Sequence, residues 1–166
     1  NKTSMNQLGA GSAGVSANGF RGMDMGAAGG RGGGRGAAPA ASPYVPYPGA
    51  VTSNRVTVEE APVRILDATA PLLSTPNKIT AADFNGWVQE RGLYFFGANA
   101  PEYKDLLAST DPWPYNTGEK VGLLTTAKLG KGTWTYVGVG LWRQLPAGTT
   151  GAYRMIANLI AQPRSR

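Results

Sequence analysis

Residues 121–140, "VGLLTTAKLGKGTWTYVGVG", decide how this chain is read. Two runs rich in β-branched and aromatic residues, 121–129 and 133–139, flank Gly130-Lys131-Gly132. Glycine reaches the positive φ that a tight reversal needs, so the pattern predicts a β-hairpin. The upstream glycine of a phosphate loop is missing, and a strand follows "GKGT" where a helix would be required. Downstream, "LWRQLPAGTT" reads as a loop. "GAYRMIANLIAQ" (151–162) then closes the chain as a helix, with Tyr153, Ile156, Leu159 and Ile160 on one apolar stripe.

Upstream of the hairpin the pattern mixes strands with one short helix. "RVTVEE" (55–60) and "APVRILD" (61–67) read as strands, and "GLYFFG" (92–97) as a strand bracketed by glycines. "YKDLL" (103–107) fits a strand or a turn. Leu72 and Leu73 are apolar anchors in a loop. Thr80 has the capping position of a helix over "TAADFNGWVQE" (80–90), with Asp83 three residues on and Phe84, Trp87 and Val88 on one face. Gly86 shortens it. The result is a mixed α/β body.

That body does not occupy the whole chain. Of 166 residues, the first 50 or so hold more than half of the 24 glycines and few large apolar side chains. Such a segment cannot bury a core of its own. Residues 1–50 therefore read as a Gly/Ala/Pro-rich arm or expanded loop, and 51–166 as the folded part. Within the arm, "GGRGGGRGAAPAASPYVP" (29–46) carries RG units at Arg31 and Arg35 but no interleaved Phe or Tyr. RNA-binding RG tracts repeat more densely and stack bases on aromatic rings, so a flexible insert is the better reading. "SPYVPYPG" (42–49) is polyproline-like, with Tyr44 and Tyr47 as handles. Arg31, Arg35, Tyr44 and Tyr47 are the residues through which an ordered arm would make contacts.

The formal net charge of +6 is spread along the chain without a run of adjacent Lys or Arg, which disfavours a nucleic-acid partner. The chain has neither histidine nor cysteine. A Ser-His-Asp triad, a Cys-His pair, a disulfide and a His/Cys zinc site are all excluded within it. Asp83, Glu90 and Asp111 could supply a spaced carboxylate pair, but solvated surface carboxylates are the simpler reading. No cofactor or metal is called for. No apolar run is long enough to span a bilayer. The opening "NKTSMNQLGAG" lacks a hydrophobic leader core and reads as a mature product or a segment of a longer polypeptide. "DPWPY" (111–115) places Trp113 and Tyr115 among prolines. With Trp142 and Arg143 these make a candidate surface for a ligand or a partner, a carbohydrate included, although packing of the loop onto the body is the somewhat better reading.

Two blocks carry a resemblance: "NRVTVEEAPVRILDATAPLLSTPNKITAADFNGWVQERGLYFF" and "GLLTTAKLGKGTWTYVGVGLWRQLPAGTTGAYRMIANLI". Residues 43–162 resemble the C-terminal region of large secreted bacterial proteins of the PIG-L/LmbE deacetylase family. "ITAADFNGWVQERGLYFF", the GKG hairpin and "RQLPAGTTGAYR" are its specific phrases. The resemblance implies a partial flavodoxin-like α/β domain of the class I glutamine-amidotransferase-like (ThuA-like) kind, ending in a β-hairpin and a helix. It implies a secreted or periplasmic bacterial location. The family's zinc motif, of the Ala-His-Pro-Asp-Asp type, is not in this chain, and neither are the opening β-α units of such a domain. The chain is therefore expected to be a non-catalytic binding or assembly module, partnered by another protein or by an upstream part of the same polypeptide. Alternatives are a structural subunit of an extracellular assembly or homo-oligomer held by its Gly-rich arm, and a basic RG-containing nucleic-acid binder.

Overall fold

The computed structural model describes residues 44–98 and 100–162. Arg31 and Arg35 lie outside them. The fold is mixed α/β, with eight strands, three helices and one 3-10 turn among the described residues.

The hairpin forms as expected. Strand β7 (Lys120–Leu129) pairs antiparallel with β8 (Gly132–Val137) through a two-residue turn of Gly130 and Lys131. Gly130 has φ of 56°, the left-handed region such a turn requires. The ambiguous segment becomes β6 (Tyr103–Ser109), which pairs with β7, and β3 (Val63–Ile65) pairs with β6. The main sheet thus runs β3-β6-β7-β8, and every strand pair among the described residues is antiparallel.

Other expectations are revised. "RVTVEE" pairs only over β2 (Arg55–Val56). "GLYFFG" is not one strand: Tyr94 takes φ of 62°, and the chain divides there. β4 (Gly92–Leu93) pairs with β2, while β5 (Phe96–Ala98) pairs with β1 (Gly49–Val51). The helix expected over 80–90 shrinks to a 3-10 turn, Ala81–Phe84, because Asn85 is extended and Gly86 has φ of 69°. Asp83 still plays its capping part, its Oδ2 accepting from the Thr80 N–H at 2.8 Å and the Thr80 hydroxyl at 3.1 Å. Leu72 and Leu73 sit on one helical turn, α1 (Pro71–Ser74), and the loop after the hairpin contains another, α2 (Leu141–Gln144).

The closing helix is α3 (Thr150–Ile160), but its stripe is rotated from the expected one. Tyr153 and Ile160 face solvent; Gly151, Ala152, Met155 and Asn158 are buried. Two contacts set this face. A Cβ on Gly151 would stand 1.8 Å from the Asp83 carbonyl oxygen, so only glycine lets the helix approach the 3-10 turn. The Asn158 side chain donates to the carbonyls of Leu72 (3.0 Å) and Asn77 (2.7 Å) and accepts from the Asn77 N–H (2.8 Å). It is fully buried and serves as a surrogate backbone partner.

One core, built on Leu73, Phe84, Phe95, Leu107, Leu123 and Met155, lies between the main sheet and the helical elements. Burying each large side chain contributes about 1.5–3 kcal/mol. A smaller core, Phe96, Tyr103 and Ala127 with Trp134 and Tyr136, gathers on a second cluster of the structure. Val45, Tyr47 and Val51 pack against it, so the end of the expected arm belongs to the body. Tyr103 donates to the Tyr47 carbonyl at 2.6 Å, Tyr47 donates to the Lys128 carbonyl at 2.8 Å, and the Trp134 indole donates to the Tyr44 carbonyl at 2.8 Å. Polyproline-like backbone leaves its carbonyls unpaired, and the tyrosine and tryptophan side chains supply donors.

Candidate binding surface

The loop between β6 and β7 is held at both ends. Asp111 is 2% exposed, and its carboxylate accepts from the backbone N–H groups of Thr57 (2.9 Å) and Val58 (3.0 Å) and from the Asn116 amide (2.7 Å). Burial pushes the carboxyl up, but these hydrogen bonds together outweigh it and hold Asp111 below the usual aspartate range. At the other end, the Lys120 ammonium donates to the carbonyls of Asn116, Thr117 (2.8 Å) and Gly118 (2.7 Å). The Tyr115 N–H closes a turn onto the Pro112 carbonyl at 3.1 Å. Glu119 forms a bidentate pair with Arg64 of β3, both contacts at 2.7 Å.

From this frame Trp113 projects with 83% exposure and Tyr115 with 58%. Trp142 is also exposed, on α2, but no ring contact joins it to Trp113 or Tyr115 among the described residues. Its neighbour Arg143 pairs with Glu90 at 2.7 Å. The α2 turn is pinned by Gln144, a buried side chain whose amide donates to the Val88 carbonyl (2.9 Å) and accepts from the Val88 N–H (2.8 Å). The two aromatic features are linked only indirectly. Thr57 and Val58 hold Asp111, Glu59 accepts from the Gln89 N–H, and Glu90 holds Arg143.

The carboxylates singled out in the sequence are structural rather than solvated. Asp83 caps the 3-10 turn and pairs with Arg154 at 2.9 Å, Glu90 pairs with Arg143, and Asp111 anchors its loop. Each is satisfied by the fold around it. Among the described residues no group of three His, Cys, Asp or Glu side chains could hold a metal ion. No helix among them is long and apolar enough to cross a membrane.

Three features escaped the sequence reading. Asp105, partly buried on β6, accepts from the Thr125 hydroxyl, and burial raises its pKa against that bond. Arg91 is buried and donates to the carbonyls of Ala61 (2.8 Å) and Phe84, tying three chain segments together; burial lowers its pKa, with Glu60 and Glu59 opposing. The third is the outer edge of β8. Gly138 donates to Leu123 across the hairpin, so the hydrogen-bonded pairs are 123/138, 125/136, 127/134 and 129/132. The N–H and C=O groups of Thr133, Thr135 and Val137 therefore point away from β7, and no described residue bonds to them. Alternating β-branched residues gave the strand, but nothing in the sequence says that it is an edge. The opposite edge, β3, is short and carries the paired Arg64.

Comparison with family models, with curated proteins and with solved structures finds no match to this chain.

Proposed function

We propose that this chain is a non-catalytic binding and assembly module. In this reading it is the C-terminal part of a flavodoxin-like, class I glutamine-amidotransferase-like domain in a secreted bacterial protein of the PIG-L/LmbE type. The observation that carries the proposal is the outer edge of β8, where no described residue pairs with the main-chain groups of Thr133, Thr135 and Val137, although just beyond it Val139 bridges Gly92. An edge of this kind is a template for another strand. All strand pairs among the described residues are antiparallel, so in this reading the parallel strands of such a domain come from an upstream part of the polypeptide and join at this edge. The phrases "ITAADFNGWVQERGLYFF" and "RQLPAGTTGAYR" support the reading from the sequence side. In the structure these phrases meet: Gly151 of the second packs on Asp83 of the first, and Gln144 bonds Val88. The absence of His and Cys leaves the chain without the usual nucleophilic or zinc chemistry, which supports a role other than catalysis.

The alternative of an arm wrapping a neighbouring subunit draws no support from residues 44–51, which pack on their own body. Intact-mass measurement and peptide mapping of the protein from its native source test the proposal. Peptides preceding Asn1 and carrying a His/Asp zinc motif are the expected result. A native species of 17.3 kDa that stays monomeric would overturn it.

A further inference from the structure

The loop bearing Trp113 and Tyr115 has a chemistry of its own, independent of how the β8 edge is completed. Leaving an indole 83% exposed forgoes the stabilisation that burying a large aromatic side chain gives. The loop nevertheless spends many internal bonds on holding that indole outward: the four donors on Asp111, the three carbonyls on Lys120 and the turn from Pro112 to Tyr115. Its frame is fixed before any ligand arrives, which lowers the ordering cost of binding.

Charge decides which ligand the loop suits. Every ionised group between 111 and 120 is already compensated: Asp111 by its donors, Glu119 by Arg64, Lys120 by three carbonyls. Residues 111–120 themselves therefore offer no uncompensated cation to a phosphate or a carboxylate and no uncompensated anion to a basic peptide. Between Asp111 and Lys120 there is also no Leu, Ile, Val or Met, so apart from Pro112 and Pro114 the segment itself brings no aliphatic side chain of the kind that makes the dry centre of a protein interface. What remains, followed in sequence by Thr117 and by Asn116 with an amide hydrogen given to Asp111, is two exposed aromatic rings two residues apart. Their Cα atoms are at most about 7 Å apart, a scale matching adjacent sugar rings. Ring faces take the C–H face of a pyranose, and neutral amide and hydroxyl groups exchange hydrogen bonds with its hydroxyls.

We propose that Trp113 and Tyr115 form a stacking platform for a neutral oligosaccharide. The test follows the four indole N–H resonances of the ¹⁵N-labelled chain during titration with cellohexaose, chitohexaose and mannohexaose at millimolar concentration. At least one of these sugars is expected to shift the Trp113 indole while leaving the buried Trp87 in place. Trp113→Ala is expected to weaken that binding roughly tenfold, Tyr115→Ala to weaken it less, and Trp113→Phe to retain most of it. The unfolding midpoint of each variant should equal the parent's, because both side chains are exposed and neither makes a hydrogen bond to a described residue. Absence of any Trp113 shift with all three sugars overturns the proposal. So does sugar binding that survives Trp113→Ala and Tyr115→Ala together, or a response to an anionic heparin oligosaccharide that exceeds the response to the neutral ones.

Discussion

Replacing Asp111 by alanine should unfasten the aromatic loop and cost the fold measurable stability. Asp111 is 2% exposed, and its carboxylate serves two backbone N–H groups, the Asn116 amide and, at 3.4 Å, the Thr57 hydroxyl. A hydrogen bond to a charged acceptor contributes about 1.5–3 kcal/mol, and a donor left dry costs about 1–3 kcal/mol. Thr57 is exposed and Val58 half-buried, so water reaches both donors once the carboxylate is gone. The dry-donor cost then drops out, and with the two backbone N–H bonds counted at the lower end of about 1.5 kcal/mol each, Asp111→Ala should lose about 3 kcal/mol. With a urea m-value of about 2 kcal/mol/M, the unfolding midpoint should fall by about 1.5 M. Asp111→Asn keeps one acceptor oxygen and should lose about half as much. The sign of the pH dependence is also fixed. A carboxyl held below its ordinary range adds stability that is present above the unfolded-state value of about 3.9 and disappears as pH falls through the lower folded-state value. The parent should show this acid-side loss, and Asp111→Ala should lack that part of it. An alanine variant within about 0.5 kcal/mol of the parent at neutral pH, the range of an ordinary surface substitution, would refute the reasoning.

Gly122 has φ of 90°, and a Cβ there would stand 2.0 Å from the Phe96 carbonyl oxygen. Gly122→Ala should therefore cost roughly 3 kcal/mol or more and unfold at clearly lower urea, because the obstacle is backbone. Gly151→Ala meets the Asp83 carbonyl at 1.8 Å and should be similarly damaging despite alanine's better helix propensity. Asp105 has its pKa raised by burial, so the native state holds this proton more tightly than the unfolded chain. Stability should fall as pH rises from the ordinary aspartate range through the raised value, and Asp105→Asn should flatten that slope and gain stability at pH 7, read as thermal midpoint against pH. Asn158→Leu has similar volume but should cost about 2–4 kcal/mol, since it leaves the Leu72 and Asn77 carbonyls and the Asn77 N–H without their partner.

The parts of the fold that were legible in the sequence are those set by local pattern. The hairpin needed only β-branched runs around a glycine turn, and the closing helix needed only its length and apolar content. The parts that were not legible depend on distant partners. Tyr94 at positive φ divides what reads as one strand, because Tyr136 donates to the Tyr94 carbonyl and β5 turns to pair with β1. The face of α3 is chosen by Gly151 and Asn158, whose roles appear only against Asp83 and Asn77. Likewise, Thr80 and Asp83 predict a helix start correctly, but the backbone at Asn85 and Gly86 stops it after one turn. Of the candidate surface, the flanking prolines left exposure of Trp113 and Tyr115 open but favoured packing of the loop onto the body, and the structure exposes both rings instead. The anchoring by Asp111, Lys120 and Glu119 was not, since it joins residues 57, 64 and 111–120 through space.

The open edge of β8 is the centre of the account, and amide hydrogen exchange at Thr133 and Thr135 tests it most directly. The measurement compares the isolated chain with the protein as isolated from its native source. The account predicts fast exchange at both amides in the isolated chain and strong protection in the native protein, where an added strand accepts them. The inward-facing amides of Trp134 and Tyr136 should be protected in both. Fast exchange at Thr133 and Thr135 in the native protein would contradict the account, because the edge would then be free in the finished molecule.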